Sequence, residues 1–227
     1  MARKRILLLS GGIYHDFAGF EAAIRPLVEG ADYALDATDD LDALLTLDEG
    51  RPDLVISNTS LSAHRPDQGD DHPQRLTDAQ TEALVAWVRA GGGYLPFHSA
   101  TVSAEPNPEL ARLHGGVFRE HPPLHTFAVY PTFLSHPITE GMTAFCVRDE
   151  LYIQAYSNDV AVTLVAVDRG VAYPMAWTRQ EGRGRVAHIA LGHTPEVWAS
   201  DPFQRLFLRS LAWLAQSKRG APDVIYL

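Results

Sequence analysis

The sequence predicts a three-layer α/β fold in which a mostly parallel, doubly wound sheet is extended by antiparallel strands, within a single domain over residues 1–227. Three observations carry this. Short apolar runs alternate with amphipathic stretches through the first half, the pattern of strand–helix units around a buried parallel sheet. The second half is rich in strand-like segments and closes on one amphipathic stretch. No repeat, low-complexity tract or Pro/Gly/Ser linker divides the two halves.

Taken in order, residues 5–10 form a continuous apolar run closed by Gly11-Gly12, as a buried strand would be. Residues 20–28 read as a helix whose end Pro26 blurs, and residues 33–37 as a second strand. Hydroxyl and carboxylate side chains from Thr38 to Asp42 can cap a short helix through Leu47. Residues 53–57 give a third strand ending on Asn58, and residues 62–75 a polar surface loop in which His64 and His72 are solvated. Thr77 and Gln80 make a capping box for a helix with the buried stripe Leu84, Val85 and Val88 and its stop at Gly91. A strand over 94–97 and a helix over 106–113 follow. Further strands are expected over 126–130, 145–152, 162–167, 174–178 and 185–191, the last two joined by a tight hairpin at Gln180-Glu-Gly-Arg-Gly184. Asp201-Pro202 opens the closing helix, with Phe203, Leu206, Phe207, Leu211 and Leu214 on one face.

Composition excludes several classes. A net charge of −9 argues against nucleic acid as a partner, because phosphate recognition needs clustered cations. No apolar run approaches the roughly 20 residues of a bilayer span and no signal-peptide pattern stands out, so no membrane partner and a cytoplasmic location are expected. The single cysteine, Cys146, excludes an internal disulfide and fits a reducing compartment. With no Gly-x-Gly-x-x-Gly or Walker pattern beside the weak Gly11-Gly12 cradle, no nucleotide is expected.

The most informative ten residues are Gly91-Gly-Gly-Tyr-Leu-Pro-Phe-His-Ser-Ala100, a glycine stop, a buried strand and a sharp turn tipped by His98 and Ser99. In doubly wound sheets ligands bind beyond the carboxyl ends of the strands. A strand-to-helix elbow there commonly displays a serine or cysteine nucleophile, whereas an imidazole suits acid–base or ligand chemistry. His15 follows the first strand and His193 follows the strand over 185–191, so both stand at equivalent strand ends. One such histidine is as easily a loop residue satisfied by backbone; three brought to one sheet edge make a site. Glu150 and Asp16 add carboxylates that could orient imidazoles or complete a metal shell. The catalytic candidates are therefore His15, His98, Glu150 and His193. Gly12, Tyr14, Asp16, Asn58, Ser99, His121 and Tyr152 are the substrate-binding candidates. Donors of this kind suit a divalent metal, zinc first, although no local signature such as His-Glu-x-x-His is present. His188 is mid-strand and reads as core, while His114, His125 and His136 lie with His121 in the segment joining the halves.

At these residues the chain resembles the ThuA-like, trehalose-utilisation family, which has a class I glutamine amidotransferase-like, flavodoxin-like fold. The matching phrases are Leu8-Leu-Ser-Gly-Gly-Ile-Tyr-His-Asp-Phe17, the elbow over 91–100, His136-Pro-Ile-Thr-Glu-Gly141, Arg148-Asp-Glu-Leu-Tyr152, Ala176-Trp-Thr-Arg-Gln-Glu-Gly-Arg-Gly-Arg185 and Ala190-Leu-Gly-His-Thr-Pro-Glu196. The resemblance implies sugar catabolism, in contexts tied to trehalose, related disaccharides and their 3-keto derivatives. It also implies the loss of glutaminase chemistry, since amidotransferases carry a cysteine at the elbow where this chain carries His98.

The leading expectation is an enzyme acting on a keto-sugar or a disaccharide derivative. His98 or His193 would remove a proton beside the carbonyl while His15, Glu150 or a divalent metal stabilises the enolate oxygen. Isomerisation and elimination both begin this way. Hydrolysis by a carboxylate pair is disfavoured, because Asp16 and Glu150 show no pairing in the sequence. The rival is a non-catalytic carbohydrate-binding or regulatory module, with the histidines as hydrogen-bonders and Tyr14, Phe97, Tyr152 and Trp198 as stacking faces. A structural zinc protein, by contrast, would unfold on chelation. In the first two readings the partner is a small-molecule sugar, and homo-oligomerisation is left open.

Overall fold

In the computed structural model, which describes residues 3–50, 52–62 and 73–216, nine strands form one sheet and two form a separate ribbon. The strands are β1 (Lys4–Gly12), β2 (Tyr33–Thr38), β3 (Leu54–Ser60), β4 (Gly93–Pro96), β5 (Gly116–Glu120), β6 (His125–Pro131), β7 (Phe145–Asp149), β8 (Ile153–Tyr156), β9 (Ala161–Asp168), β10 (Val171–Glu181) and β11 (Gly184–Ile189). The large sheet runs β2-β1-β3-β4-β11-β10-β9-β6-β7. Its first five strands pair in parallel and the rest continue it antiparallel. The ribbon pairs β5 with β8.

Helices cover both faces, as the continuous apolar runs of β1 and β3 require. Ile6, Leu8 and Ile56 share one core with Phe20 and Ile24 of α1 (Phe17–Gly30) and with Phe203 and Phe207 of the last helix. Leu9, Val55, Tyr94 and Val186 face the other way, where a 3₁₀ turn (Leu41–Thr46) leads into α2 (Leu47–Gly50). The same core takes Leu84 and Val88 of α3 (Asp78–Arg89), and Leu110 and Leu113 of α4 (Pro108–His114). Each such fully buried Leu, Ile or Phe contributes about 1.5–3 kcal/mol. The chain closes with α5 (Pro195–Trp198) and α6 (Asp201–Leu214). No helix among the described residues is long and apolar enough to cross a membrane.

Local chemistry explains the boundaries. Thr77 and Gln80 form the reciprocal capping box at the start of α3, while α1 runs on through Pro26 because buried Val28 anchors its last turn. The strand expected over 145–152 stops at Asp149, and Leu151 and Tyr152 leave the large sheet for the turn into β8. The in–out alternation persists through the break, with Val147, Asp149 and Leu151 buried, so sequence periodicity runs past the true end. The short strand β5 and the one-turn α5 lie in segments without a periodic signal. His64 and His72 fall outside the described residues.

Candidate functional site

Parallel pairing brings the carboxyl ends of β1, β4 and β11 to one edge of the sheet, with β3 between the first two. The three imidazoles meet there. Ring centroids of His15 and His98 lie 5.1 Å apart, His15 and His193 4.9 Å, and His98 and His193 5.6 Å. The elbow is strained: His98 has φ +39°, a left-handed conformation unusual for a side chain of this size. His98 is fully buried at the tip. Its Nδ1 donates to Ala190 O at 2.6 Å, which leaves Nε2 carrying the lone pair. His15 Nδ1 contacts Ile13 O at 3.1 Å and its Nε2 the Tyr152 hydroxyl at 3.2 Å. The Tyr152 ring stacks on His98 at 4.1 Å between centroids.

Glu150 completes the group from the break after β7. Its Oε2 lies 3.1 Å from His193 Nδ1 and 3.5 Å from His98 Nε2, and its Oε1 lies 3.6 Å from His121 Nε2. None of these is an aligned hydrogen bond, and His98 Nε2 and His193 Nδ1 remain buried nitrogens without a hydrogen-bond partner. Burial pushes the His15 imidazole from the ordinary 6.5 down to about 3, with the neighbouring His98 adding to it. The His193 imidazole is raised by its contact with Glu150, against desolvation. Burial alone would raise the Glu150 carboxyl, but His193 and His98 outweigh it and hold the carboxyl well below the usual carboxylate range.

One ligand atom from each of His15, His98, Glu150 and His193 can be chosen so that all four lie within 4.8 Å of one another. Three imidazoles and a carboxylate form a donor set for zinc or a similar divalent metal. The arrangement also fits in its surroundings. His98 and His15 hold backbone carbonyls through Nδ1, the outer-shell pattern that fixes a ligating tautomer, and the two partnerless nitrogens lie against the Glu150 carboxylate.

A cleft of about 400 Å³ opens over this group, lined by Tyr14, His15, Ser62, Val102, Phe118, His121, Glu150, Tyr152 and His193. Six of the expected site residues therefore wall one space, with His98 buried beside it. The other four are placed elsewhere. Asp16 caps α1, its Oδ1 accepting from Gly19 N at 2.8 Å. Asn58 and Ser99 are buried and bonded to each other at 3.1 Å, bracing the elbow from behind. Gly12 lines a different cavity with Asp39 and Thr59, and its φ of +113° and the close approach of Ser60 O explain the glycine.

Sequence reasoning missed Asp149, a fully buried carboxylate that accepts from Gly192 N at 2.7 Å and His193 N at 2.9 Å. It ties the loop bearing His193 to the segment bearing Glu150. Its adjacency to Glu150 was the available signal. Phe118 gave none, since only the pairing of β5 with β8 brings it to the cleft.

A family model described as ThuA, trehalose utilisation, matches residues 5–214. Among curated proteins none matches the chain. Among solved structures, a ThuA-like protein from Parabacteroides merdae aligns with a TM-score of 0.77 at 19% identity, covering 97% of this chain and 93% of that one. A ThuA-like protein from Bacteroides uniformis aligns at 0.73 and 20% identity, covering 94% and 91%. A β-galactosidase from Rahnella sp. R3 aligns at 0.66 and 14% identity over 96% of this chain but only 32% of its own. At these identities the likeness speaks for the fold.

Proposed function

The chain belongs to the ThuA, trehalose-utilisation family, which supports a sugar-related role, and on that premise we propose that it is an enzyme acting on a keto-sugar or disaccharide derivative through histidine-centred acid–base chemistry assisted by a divalent metal. The observation that carries this reading is the pair of buried, partnerless nitrogens, His98 Nε2 and His193 Nδ1, set against Glu150 at the head of the parallel strands. His15, His98, Glu150 and His193 would hold the metal. When bound, it supplies Lewis-acid stabilisation of negative charge developing on a substrate oxygen.

The chain's own groups then divide the remaining work. Of the two bases expected, His98 is fully buried and His193 belongs to the metal-holding set, so the role falls to His121 at the cleft wall. His121 Nδ1 donates to Pro122 O at 2.9 Å, leaving Nε2 unprotonated to take the proton from the carbon beside the carbonyl. Glu150 Oε1, 3.6 Å away, stabilises the imidazolium that results. Tyr14 and Phe118 offer ring faces to the sugar, and Tyr152 holds His98 by stacking.

Metal analysis of the purified protein tests this directly. Near-stoichiometric zinc or another divalent metal is expected in wild type, with at least a tenfold loss in His15→Ala, His98→Ala and His193→Ala. His121→Ala is expected to keep its metal and lose turnover of 3-keto-trehalose. A wild type that stays metal-free after reconstitution, or a His98→Ala variant with undiminished turnover of keto-sugars, sinks the proposal.

A further inference from the structure

Phe118 lines two cavities. One is the histidine cleft; the other, of about 300 Å³, is walled by Leu110 and Ala111 of α4. The segment after the elbow serves both as well, since Val102 lines the first while Thr101 and Ser103 line the second. The two cavities therefore share a wall made by Phe118 and the 101–103 segment.

The two differ in chemistry. The uncharged polar side chains around the second cavity are already engaged. Thr101 Oγ1 donates to His98 O at 3.3 Å and Ser103 Oγ to Glu105 O at 2.6 Å. Asn107 Nδ2 donates to Thr81 Oγ1 at 2.8 Å, and its Oδ1 accepts from Leu110 N at 3.0 Å. His114 Nε2 meets the Tyr94 hydroxyl at 3.0 Å. The rest of the lining is largely carbon, with the charges of Glu105 and Arg119 at exposed positions.

A sugar ring carries hydroxyls around its rim, and each loses water on entry and needs a new partner. This cavity has few to give. An aromatic or branched alkyl group needs none, and an apolar cavity of about 150 Å³ suffices for a benzene ring. We propose that the second cavity binds the apolar aglycone of a glycoside whose sugar ring occupies the histidine cleft. The substrate class then extends to aryl and alkyl glycosides and their keto derivatives. This rests on the sugar-related reading of the cleft and adds to it.

The test titrates phenol, phenyl glucoside, methyl glucoside and trehalose, with both anomers of each glucoside, against wild type, Ala111→Trp and His193→Ala. Ligand-observed NMR and calorimetry read the binding. Phenyl glucoside is expected to bind wild type about tenfold or more tighter than methyl glucoside. Ala111→Trp removes that advantage and leaves methyl glucoside unchanged. Phenol, which probes the second cavity alone, binds wild type and His193→Ala alike and fails on Ala111→Trp, even if the cleft itself takes no sugar. Equal affinity for the two glucosides, or phenol binding indifferent to Ala111→Trp, overturns the proposal. So does trehalose binding best and weakening in Ala111→Trp, which assigns the cavity to a second sugar ring. Melting curves separate lost binding from lost fold, and Ala111→Leu gives a smaller filling should tryptophan prevent folding.

Discussion

Two carboxylates, Glu181 buried and Glu150 partly buried, stand at opposite ends of the sheet, and their partners differ in kind. Glu181, at the end of β10, accepts from Arg89 Nε at 2.7 Å, from Arg112 Nη1 and Nη2 at 2.8 and 3.0 Å, and from Arg179 Nη2 at 3.3 Å. Burial works to raise its carboxyl, but Arg112 and Arg89 hold it below the ordinary range. Glu150 is likewise held low, but by the imidazoles of His193 and His98 rather than by guanidiniums. The guanidiniums stay charged and their bonds to Glu181 are aligned, and among their buried nitrogens Arg179 Nε alone lacks a hydrogen-bond partner. At Glu150 the two nearest nitrogens are the partnerless ones. A closed ionic network secures the fold, whereas an open one has donor capacity to spend on a ligand.

Exchanging the two carboxylates for amides gives the largest expected contrast. Glu181→Gln leaves guanidiniums short of their counter-charge and should lower stability by about 2–4 kcal/mol, the exposure of Arg89 and Arg112 trimming the upper end. Metal content should not change. Glu150→Gln should do the reverse, changing the unfolding free energy of the metal-free protein in urea titrations by less than about 1 kcal/mol while abolishing stoichiometric metal. Were both variants to alter both readouts equally, the distinction between a closed and an open network would collapse.

The histidines divide along the same line. His114 is committed: 3% exposed, with Nε2 on the Tyr94 hydroxyl and its carbonyl accepting from Trp177 Nε1 at 2.8 Å. Burial pushes its imidazole from 6.5 to about 3. Unfolded, the ring takes a proton below about 6.5; folded, only near 3. Its contribution is therefore whole above pH 6.5 and declines as pH falls towards 3. Between pH 7 and pH 5 the expected loss is about 2 kcal/mol from this residue. His114→Gln should flatten the pH dependence of the unfolding free energy, read from urea titrations, by that amount, whatever its effect at pH 7. An unchanged slope would mean the ring is protonated in the folded state after all.

Legibility in the sequence followed the reach of the interactions. The capping box at Thr77, the hairpin at Gly182 and the convergence of His15, His98 and His193 all follow from local patterns plus one rule about strand ends. Asp16, Asn58, Ser99 and Gly12 carry the right chemistry at the right strand ends, but nearby backbone or side-chain groups absorb each of them. No sequence pattern distinguishes a carboxylate free to meet a ligand from one that caps a helix. The second cavity is lined wholly by residues between 100 and 119, where a turn, a loop, α4 and β5 follow one another without a common period, and so it left no trace in spacing.

Asp149 offers the smallest and most discriminating change, because it belongs to neither network. Its carboxylate accepts two backbone N–H groups, and burial raises its carboxyl in spite of them. Gly192, between those groups, has φ +123°, and a side chain there would meet the Phe97 ring, so the turn before His193 has little freedom to readjust. Asp149→Asn retains one acceptor and turns a donor towards the other N–H. The expected result is about 1 kcal/mol of lost stability and a metal affinity about tenfold weaker, equivalent to 1.4 kcal/mol, in the range of outer-shell changes. Asp149→Ala, which removes both acceptors, should weaken the metal further. If instead Asp149→Asn lowers stability with metal affinity intact, His193 is positioned by its contact with Glu150 rather than by its backbone, and the open network organises itself.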